Sequence, residues 1–406
     1  MTAPVPVLHI YNGSTFDQYT GLSLMVLERG MQTLLERPKT STLTLVVEDQ
    51  DGYWDPSAPA AIGYGPDTFL YVRIPDSTPT SRTHFAGRIQ TYKVTYPGPG
   101  FARIEITATG MFSRLSGAAF PTSTISGVGV SDTDDLLDRI VSEAIGGGAS
   151  LGTWVMSGDG AGGRATTVNA TGDTLNGCHA VADAGDGWFV EEMWNDVSHP
   201  QYRFIDRNRS FQWPTFTFTE VAPSPPTSYP YDEDSWESEA TNDRIRNTVT
   251  VTPNGLTAQT ATDTTSVANH GIQEYSLGSW HPSEAEALVR AEDALVAFKE
   301  PSSVDVKTIR LEPDKEGNDY LWDLVARLGA ESAGCLRLFD RISVERVTPF
   351  TTVTREMVVT GFRHTIQSVP DGGWIVDLFV ADAEASKEAL ILDDNTAGIL
   401  DTGRLA

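Results

Sequence analysis

The segment Thr42-Leu43-Thr44-Leu45-Val46-Val47 alternates strictly. Thr42, Thr44 and Val46 point to one side of an extended chain, and Leu43, Leu45 and Val47 to the other, as successive side chains of a pleated strand do. Asp51-Gly52 then supplies a turn, because Gly takes a positive φ without steric cost, and Pro56 ends the segment. The same period returns in Arg103-Ile104-Glu105-Ile106-Thr107-Ala108, with Ile104, Ile106 and Ala108 on the buried face. Strands are predicted over 5–11, 22–28, 41–48, 69–74, 85–96 and 101–109. Asn12-Gly13, Asp51-Gly52 and Pro97-Gly98-Pro99-Gly100 mark turns between them. Residues 1–118 therefore read as a small β-barrel or sandwich.

Helical periodicity enters later. Ser131 is a suitable N-cap for a helix over 131–145 with Leu136, Leu137, Ile140, Val141 and Ala144 as its apolar stripe. Gly146-Gly147-Gly148 stops it. A short helix is predicted near 173–184. Strands follow near 188–193 and 202–213, in which Trp188-Phe189-Val190 and Arg203-Phe204-Ile205-Asp206 can pair as a hairpin. Pro223, Pro225, Pro226, Pro230 and Asp232-Glu233-Asp234 read as a linker. A β segment covers 245–252. Ser283-Glu284-Ala285-Glu286 is a capping box opening a helix with Leu288, Ala291, Leu295 and Phe298 on one face, closed by Pro301. A second helix is predicted over 319–328, capped by Asn318 and followed by Gly329. Strands resume at 335–347, 355–367 and 373–381. The last 20 residues are weakly patterned.

One echo runs across the chain. Gly87-Arg88-Ile89 leads to the Pro97–Gly100 turn and a return strand opened by Phe101. Gly361-Phe362-Arg363 leads to the Pro370–Gly373 turn and a return strand opened by Trp374. The match is either coincidence between two hairpins or the trace of a shared ancestral barrel.

A length of 406 residues suggests two to four domains at about 100–200 residues each. Hydrophobic residues make up 40%, as in a folded globular protein. No stretch approaches the roughly 20 apolar residues of a membrane helix. Met1-Thr2-Ala3-Pro4-Val5-Pro6 lacks the basic and apolar regions of a secretory signal, so the product is expected to stay in the cell that makes it until released. Formal charge is −26, and all but one unit of it lies beyond residue 120. No basic stripe suits specific nucleic-acid binding. The acidity reads either as a solubility device or as the negative wall of a passage for DNA.

The motifs for chemistry are weak. Gly158-Asp159-Gly160-Ala161-Gly162-Gly163 fits G-x-G-x-x-G, but Thr166-Thr167-Val168 after it looks extended, so a loop is favoured over a cofactor site. Asp49, Asp51 and Asp55 are spaced like calcium donors. Tyr53 and Trp54 stand where an EF-hand needs a donor and a Gly, so a turn is favoured and calcium is the alternative. His9, His84, His179, His199, His270, His281 and His364 form no H-E-x-x-H pair, and Cys178-His179 has no companion thiols. Cys178 and Cys335 read as buried thiols. Asp232-Glu233-Asp234 and Asp393-Asp394 read as solvated loop charges. Most of Trp54, Trp154, Trp188, Trp194, Trp213, Trp236, Trp280, Trp322 and Trp374 are expected as core anchors, one or two as interface anchors. No catalytic, cofactor or metal residues are assigned, and the chain is read as a non-enzyme.

Several phrases resemble the minor tail proteins of tailed, siphovirus-like phages of actinobacteria, hub proteins at the tip of the tail tube. Glu28-Arg29-Gly30 followed by Thr42–Pro56 is similar to the family's N-terminal signature. Phe85-Ala86-Gly87-Arg88-Ile89 resembles its F-x-G-R-I strand, and Ile104–Gly110 the strand that follows. Asp186-Gly187-Trp188-Phe189 is similar to its G-G-W-F phrase, Asn247–Val251 to its N-x-V-x-V strand, and Trp374–Leu378 to its closing strand. Asp49-Gln50 and Gly110 depart from the commoner family residues.

The resemblance implies a mainly β chain in which two small β-barrel hub domains flank α/β inserts. The domains expected are a barrel over 1–118, an α+β insert over 119–230, a linker, strand and α/β region over 231–334, strands over 335–390 that complete a second barrel with 245–252, and a tail over 391–406. It implies a homotrimeric structural protein at the virion tail tip, made in the host cytoplasm. Implied partners are a distal tail protein, a tape-measure protein and tail fibre or spike proteins, with DNA passing through the ring without specific binding. Two other classes compete. A tail-associated cell-wall hydrolase predicts a nucleophile or metal ligands, and a carbohydrate-binding array predicts a secretion signal.

Overall fold

The computed structural model describes most of residues 5–383. Outside the description fall residues 1–4 and 384–406, the segments 33–35, 58–63, 76–80, 121–124, 127–132, 146–154, 159–166, 169–171, 193–200, 207–215, 221–227, 240–244, 301–304, 330–334 and 368–372, and positions 13, 21, 56, 186, 237, 254, 280, 282 and 319.

The alternation at Thr42–Val47 belongs to strand β4, and the turn after it holds Gly52 at φ 74°. The first part of the chain supplies β1 (Val7–Tyr11), β2 (Phe16–Tyr19), β3 (Leu22–Gly30), β4 (Lys39–Asp49), β5 (Phe69–Pro75), β6 (Ser81–Gly98) and β7 (Phe101–Gly110). The later part supplies β8 (Phe216–Thr219), β9 (Ser228–Tyr229), β10 (Thr308–Leu311), β11 (Arg341–Val347), β12 (Thr352–Gln367) and β13 (Trp374–Asp382). Leu43 and Leu45 of β4 and Ile104, Ile106 and Ala108 of β7 are fully buried. Each such Leu or Ile contributes about 1.5–3 kcal/mol of apolar burial.

These strands form one 13-stranded sheet, in the order β9-β8-β11-β12-β3-β4-β7-β6-β5-β1-β2, with β13 pairing β12 and β10. Two separate barrels were expected. Instead β3 and β12 pair antiparallel from Gly30↔Gly361 to Leu24↔Gln367 and merge the halves into an open sheet. β12 pairs with β13 along one edge, and with β11 and then β3 along the other.

The echo of two hairpins is nonetheless real in topology. β4-β7-β6-β5 and β10-β13-β12-β11 are the same order of four consecutive antiparallel strands. Gly87 and Gly361 sit at matching points of the long strands β6 and β12, where neighbours leave no room for a side chain. A Cβ on Gly87 would lie 2.2 Å from the Thr109 carbonyl oxygen, and one on Gly361 2.6 Å from that of Arg29.

Residues 245–252 do not join the strands of 335–390. Thr248–Pro253 pairs with Gln259–Thr262 and Glu274–Ser279 in a sheet of its own. That sheet packs on a helix whose inward residues, Ala287, Ala291 and Ala294, allow close approach.

The helices are α1 (Phe112–Gly117), α2 (Thr133–Ile145), α3 (Thr174–Ala184), α4 (Thr264–His270), α5 (Glu284–Phe298) and α6 (Leu321–Val325). Ser283 caps α5 by accepting from the Glu286 N–H at 3.2 Å. α6 is shorter than expected and has no side-chain cap: Tyr320 stands at its N-terminus, and the Asn318 amide donates to the Glu312 carbonyl. Gly187–Glu192 and Gln201–Asp206 do pair as a hairpin. With α1, α2 and α3 they build a second core around Phe112, Leu136, Ile140, Phe189 and Phe204. No helix among the described residues is long and apolar enough to cross a membrane.

Gly361→Ala is expected to lower the free energy of unfolding by about 1–3 kcal/mol, the usual cost of overpacking. Gly98→Ala, at a site with open space around it, is expected to change it by less than about 0.5 kcal/mol. Urea titration of both variants checks the contrast.

Candidate functional site

The turn after β4 shows what its aspartates do. The Asp49 carboxylate accepts the backbone N–H groups of Tyr53, Trp54 and Asp55 at 3.0, 2.9 and 3.1 Å. Asp55 accepts from the Ser57 amide and hydroxyl and from the Tyr96 hydroxyl. Ser57, ahead of Tyr96, holds the Asp55 carboxyl below the usual carboxylate range. Asp51 is exposed. These carboxylates thus organise the loop, and among the described residues no group of three His, Cys, Asp or Glu side chains could hold a metal ion.

The other candidates are dispersed. Cys178 on α3 and Cys335 before β11 are buried, and neither is in a disulfide. Gly158 ends a short strand, Val155–Gly158, and the rest of its glycine run lies outside the described residues, as do His199, Trp154, Trp194, Trp213, Trp280 and Asp393-Asp394. Thr167-Val168 is extended, as expected. His9 stacks on Tyr71 with ring centres 4.3 Å apart, and His179 meets Phe112 edge-on. His270 lies 3.6 Å from Glu300. Trp54, Trp188, Trp322 and Trp374 are buried core anchors.

The structure brings His84 and His364 together. They meet edge to face at 5.3 Å, His84 on β6 and His364 on β12. His84 Nε2 lies 2.9 Å from the Ala326 carbonyl. Trp374 Nε1 donates to His364 Nδ1 at 3.3 Å, so His364 carries its proton on Nε2, which finds no hydrogen-bond partner among the described residues. Burial first, then His84 and Arg29, push the His364 imidazole well below its ordinary pKa.

The most constrained group is one that motif reading missed. Glu191 lies in strand Gly187–Glu192, only 4% exposed. Its carboxylate accepts from the Ser41 N–H of β4 at 2.9 Å and from the Phe112 N–H that opens α1. Its backbone carbonyl accepts from Arg29 of β3 at 3.0 Å. Burial raises the Glu191 pKa, against the opposing pull of the Ser41 and Phe112 donors and Arg29. The Arg29 guanidinium lies 5.2 Å from the centre of the Phe362 ring. Gly110 leaves the space for Glu191, since a Cβ there would sit 2.4 Å from its Oε2.

The strand carrying Glu191 has two dry faces. Trp188 and Val190 enter the core of the large sheet, with Trp188 stacked on Phe339 at 4.1 Å, while Phe189 enters the helical core. A signal existed in the sequence: alternation puts Glu191 in phase with Phe189, on a buried face. This geometry is that of a structural joint between the large sheet, the first helix and the hairpin.

No protein-family model and no curated protein matches the chain. Among solved structures it is similar to the tail protein from Neisseria meningitidis MC58, with a TM-score of 0.59 and 10% identity over 94% of this chain and 97% of that one. It is also similar to the 43 kDa tail protein of prophage MuSo2 from Shewanella oneidensis, with a TM-score of 0.57 and 9% identity over 95% of this chain and all of that one. At such identity the likeness is one of fold, and it runs nearly end to end in both chains.

Glu191→Ala is expected to cost about 3–5 kcal/mol, because it leaves buried donors unmatched; calorimetry of the purified variant checks it. Acid is expected to weaken the fold through histidines kept neutral. His9 and His179 are each held down to about 4 by burial first. The unfolded chain binds protons near pH 6.5 and the native one does not, so this stability is full above pH 6.5 and falls as pH drops towards 4. His364→Gln is expected to make that loss shallower by up to about 1.4 kcal/mol per pH unit, read from denaturant midpoints across the window.

Proposed function

We propose that this chain is a structural component of a phage tail, a homotrimeric hub at the tail tip that closes the tail tube. The observation that carries the reading is the end-to-end fold likeness to two tail proteins. The shared strand order of the two halves supports it further: a trimer would present six such four-strand units, matching a tube of six-fold symmetry. The N-terminal phrases support assignment to the siphovirus-like tails of actinobacterial phages.

In this reading the distal tail protein and the tape-measure protein contact the ring from the tube side, and fibre or spike proteins attach at the tip. The chain performs no catalysis. Its role is to hold shape, and a buried hydrogen-bonded joint with two dry strand faces suits a part that must transmit contacts without loosening. A formal charge of −26 makes DNA a poor ligand, so DNA would pass the ring without being held.

Mass photometry of the purified chain is expected to give three times 44.0 kDa, and cryo-EM of whole tails a single ring of it at the tip. A stable monomer, or a position away from the tip, would reject the hub. Purified cell wall is expected to stay intact with the protein, and robust hydrolysis would reject the non-enzymatic reading.

A further inference from the structure

Residues 245–300 form a unit with a core of its own. Its strands, Thr248–Pro253, Gln259–Thr262 and Glu274–Ser279, make a sheet separate from the large one. The apolar cluster between that sheet and α5 is built from Val249, Val251, Ala261, Ala287, Ala291 and Ala294, all inside the unit. The unit also closes on itself where the chain enters and leaves it. The Arg246 N–H donates to the Phe298 carbonyl at 2.7 Å, and Lys299 pairs with Asp263 at 3.2 Å. The fully buried Asn247 side chain accepts from the Gln273 N–H at 2.8 Å and donates to the Gly271 carbonyl at 2.7 Å. Entry and exit thus share one corner, the arrangement of a domain inserted into another. A body joined at one corner takes a fixed orientation only through a second contact.

Arg37, just ahead of β4, makes such a contact. Its Nη2 donates to Asp183 Oδ2 at 3.0 Å and to the Gly278 carbonyl at 3.3 Å. Asp183 stands in the last turn of α3, and Gly278 in the strand Glu274–Ser279, which packs against α3. One guanidinium nitrogen, carrying two protons, therefore spans the unit and the rest of the chain. The side away from the unit is held twice. The next residue, Pro38, accepts from the His179 imidazole with its carbonyl, which seats the backbone on α3 one turn from Asp183. A carboxylate in the last turn of a helix also faces the negative end of the helix dipole, so Asp183 gains more from a cation than it would at mid-helix. On the unit's side Tyr275 lies close by: burial first, and then the Asp183 charge, push its hydroxyl up to about 12.

The strength of the contact matters as much as its position. The Arg37 and Asp183 side chains are 34% and 14% exposed, so water and salt reach the pair. An ion pair in that setting is weak and is screened by added salt. It selects one orientation without locking it, unlike the buried joint at Glu191. We infer that Arg37 is a latch that fixes the orientation of residues 245–300 against α3, and that its release lets this unit turn about its corner while the cores on both sides stay folded. The inference is independent of the tail reading.

Pulsed electron–electron distance measurement on the full chain tests it. Spin labels are carried on p-acetylphenylalanine at positions 90 and 258, both exposed, one on β6 and one in the unit, and the labelled chain is diluted in unlabelled chain so that each distance lies within one copy. Arg37→Ala is expected to broaden the distance distribution at least about twofold, while hydrogen exchange at the Val249 and Val251 amides stays as slow as in the wild type. The wild-type chain in about 1 M NaCl, where the screening length falls to about 3 Å, is expected to broaden in the same sense, and this arm decides the matter should the variant not fold. A distribution as narrow in Arg37→Ala as in the wild type would overturn the latch. So would fast exchange at Val249 and Val251 in a folded variant, which would mean that the unit melts and does not turn.

Discussion

A single buried carboxylate holds three parts of this molecule in register. Glu191 takes the Ser41 amide from the large sheet and the Phe112 amide from the first helix, while its own carbonyl is held by Arg29. A carboxyl side chain removed from water is costly unless it is hydrogen-bonded. Here the donors come from separate segments, so the insert can dock in one place only. The Trp188–Phe339 stack and Phe189 then add apolar burial on both faces of the same strand.

Close backbone approach at glycine is the complement of that joint. Gly110 admits the Glu191 carboxylate, and Gly30 and Gly361 admit the crossing of β3 and β12. Gly30 also takes φ 89°, which favours Gly over other residues. Gly30 and Gly361 let the two halves fuse into one sheet where barrels were expected. The strand order of each half is kept, but the edge that would close a barrel is spent on its sister.

What could be read from the sequence was local. β4 and β7 were legible because alternation is a property of neighbours, and α5 because Ser283 and Glu286 lie within one turn. β2, α1 and α4 are too short to show a period, and the cap expected at Asn318 is not made, since α6 opens at Leu321 after Tyr320. The β3–β12 pairing and the Glu191 joint depend on partners up to hundreds of residues away, and no window of sequence contains both. The echo of Gly87 and Gly361 crossed that distance because it is a repeated pattern, and it led to the shared topology but not to the merger.

The merger sets a timetable for synthesis. Arg363 grips Glu28 across 335 residues of chain, with guanidinium bonds of 2.9 and 2.6 Å. At about 5–20 residues per second on the ribosome, β3 waits roughly 20–70 s for the strand that will cover it. Through that interval the first half can fold with its β3 edge open, and an open edge is a template for pairing with any other nascent chain. On a polysome making many copies at once, correct assembly of this protein depends on keeping that edge solitary until its own C-terminal half arrives.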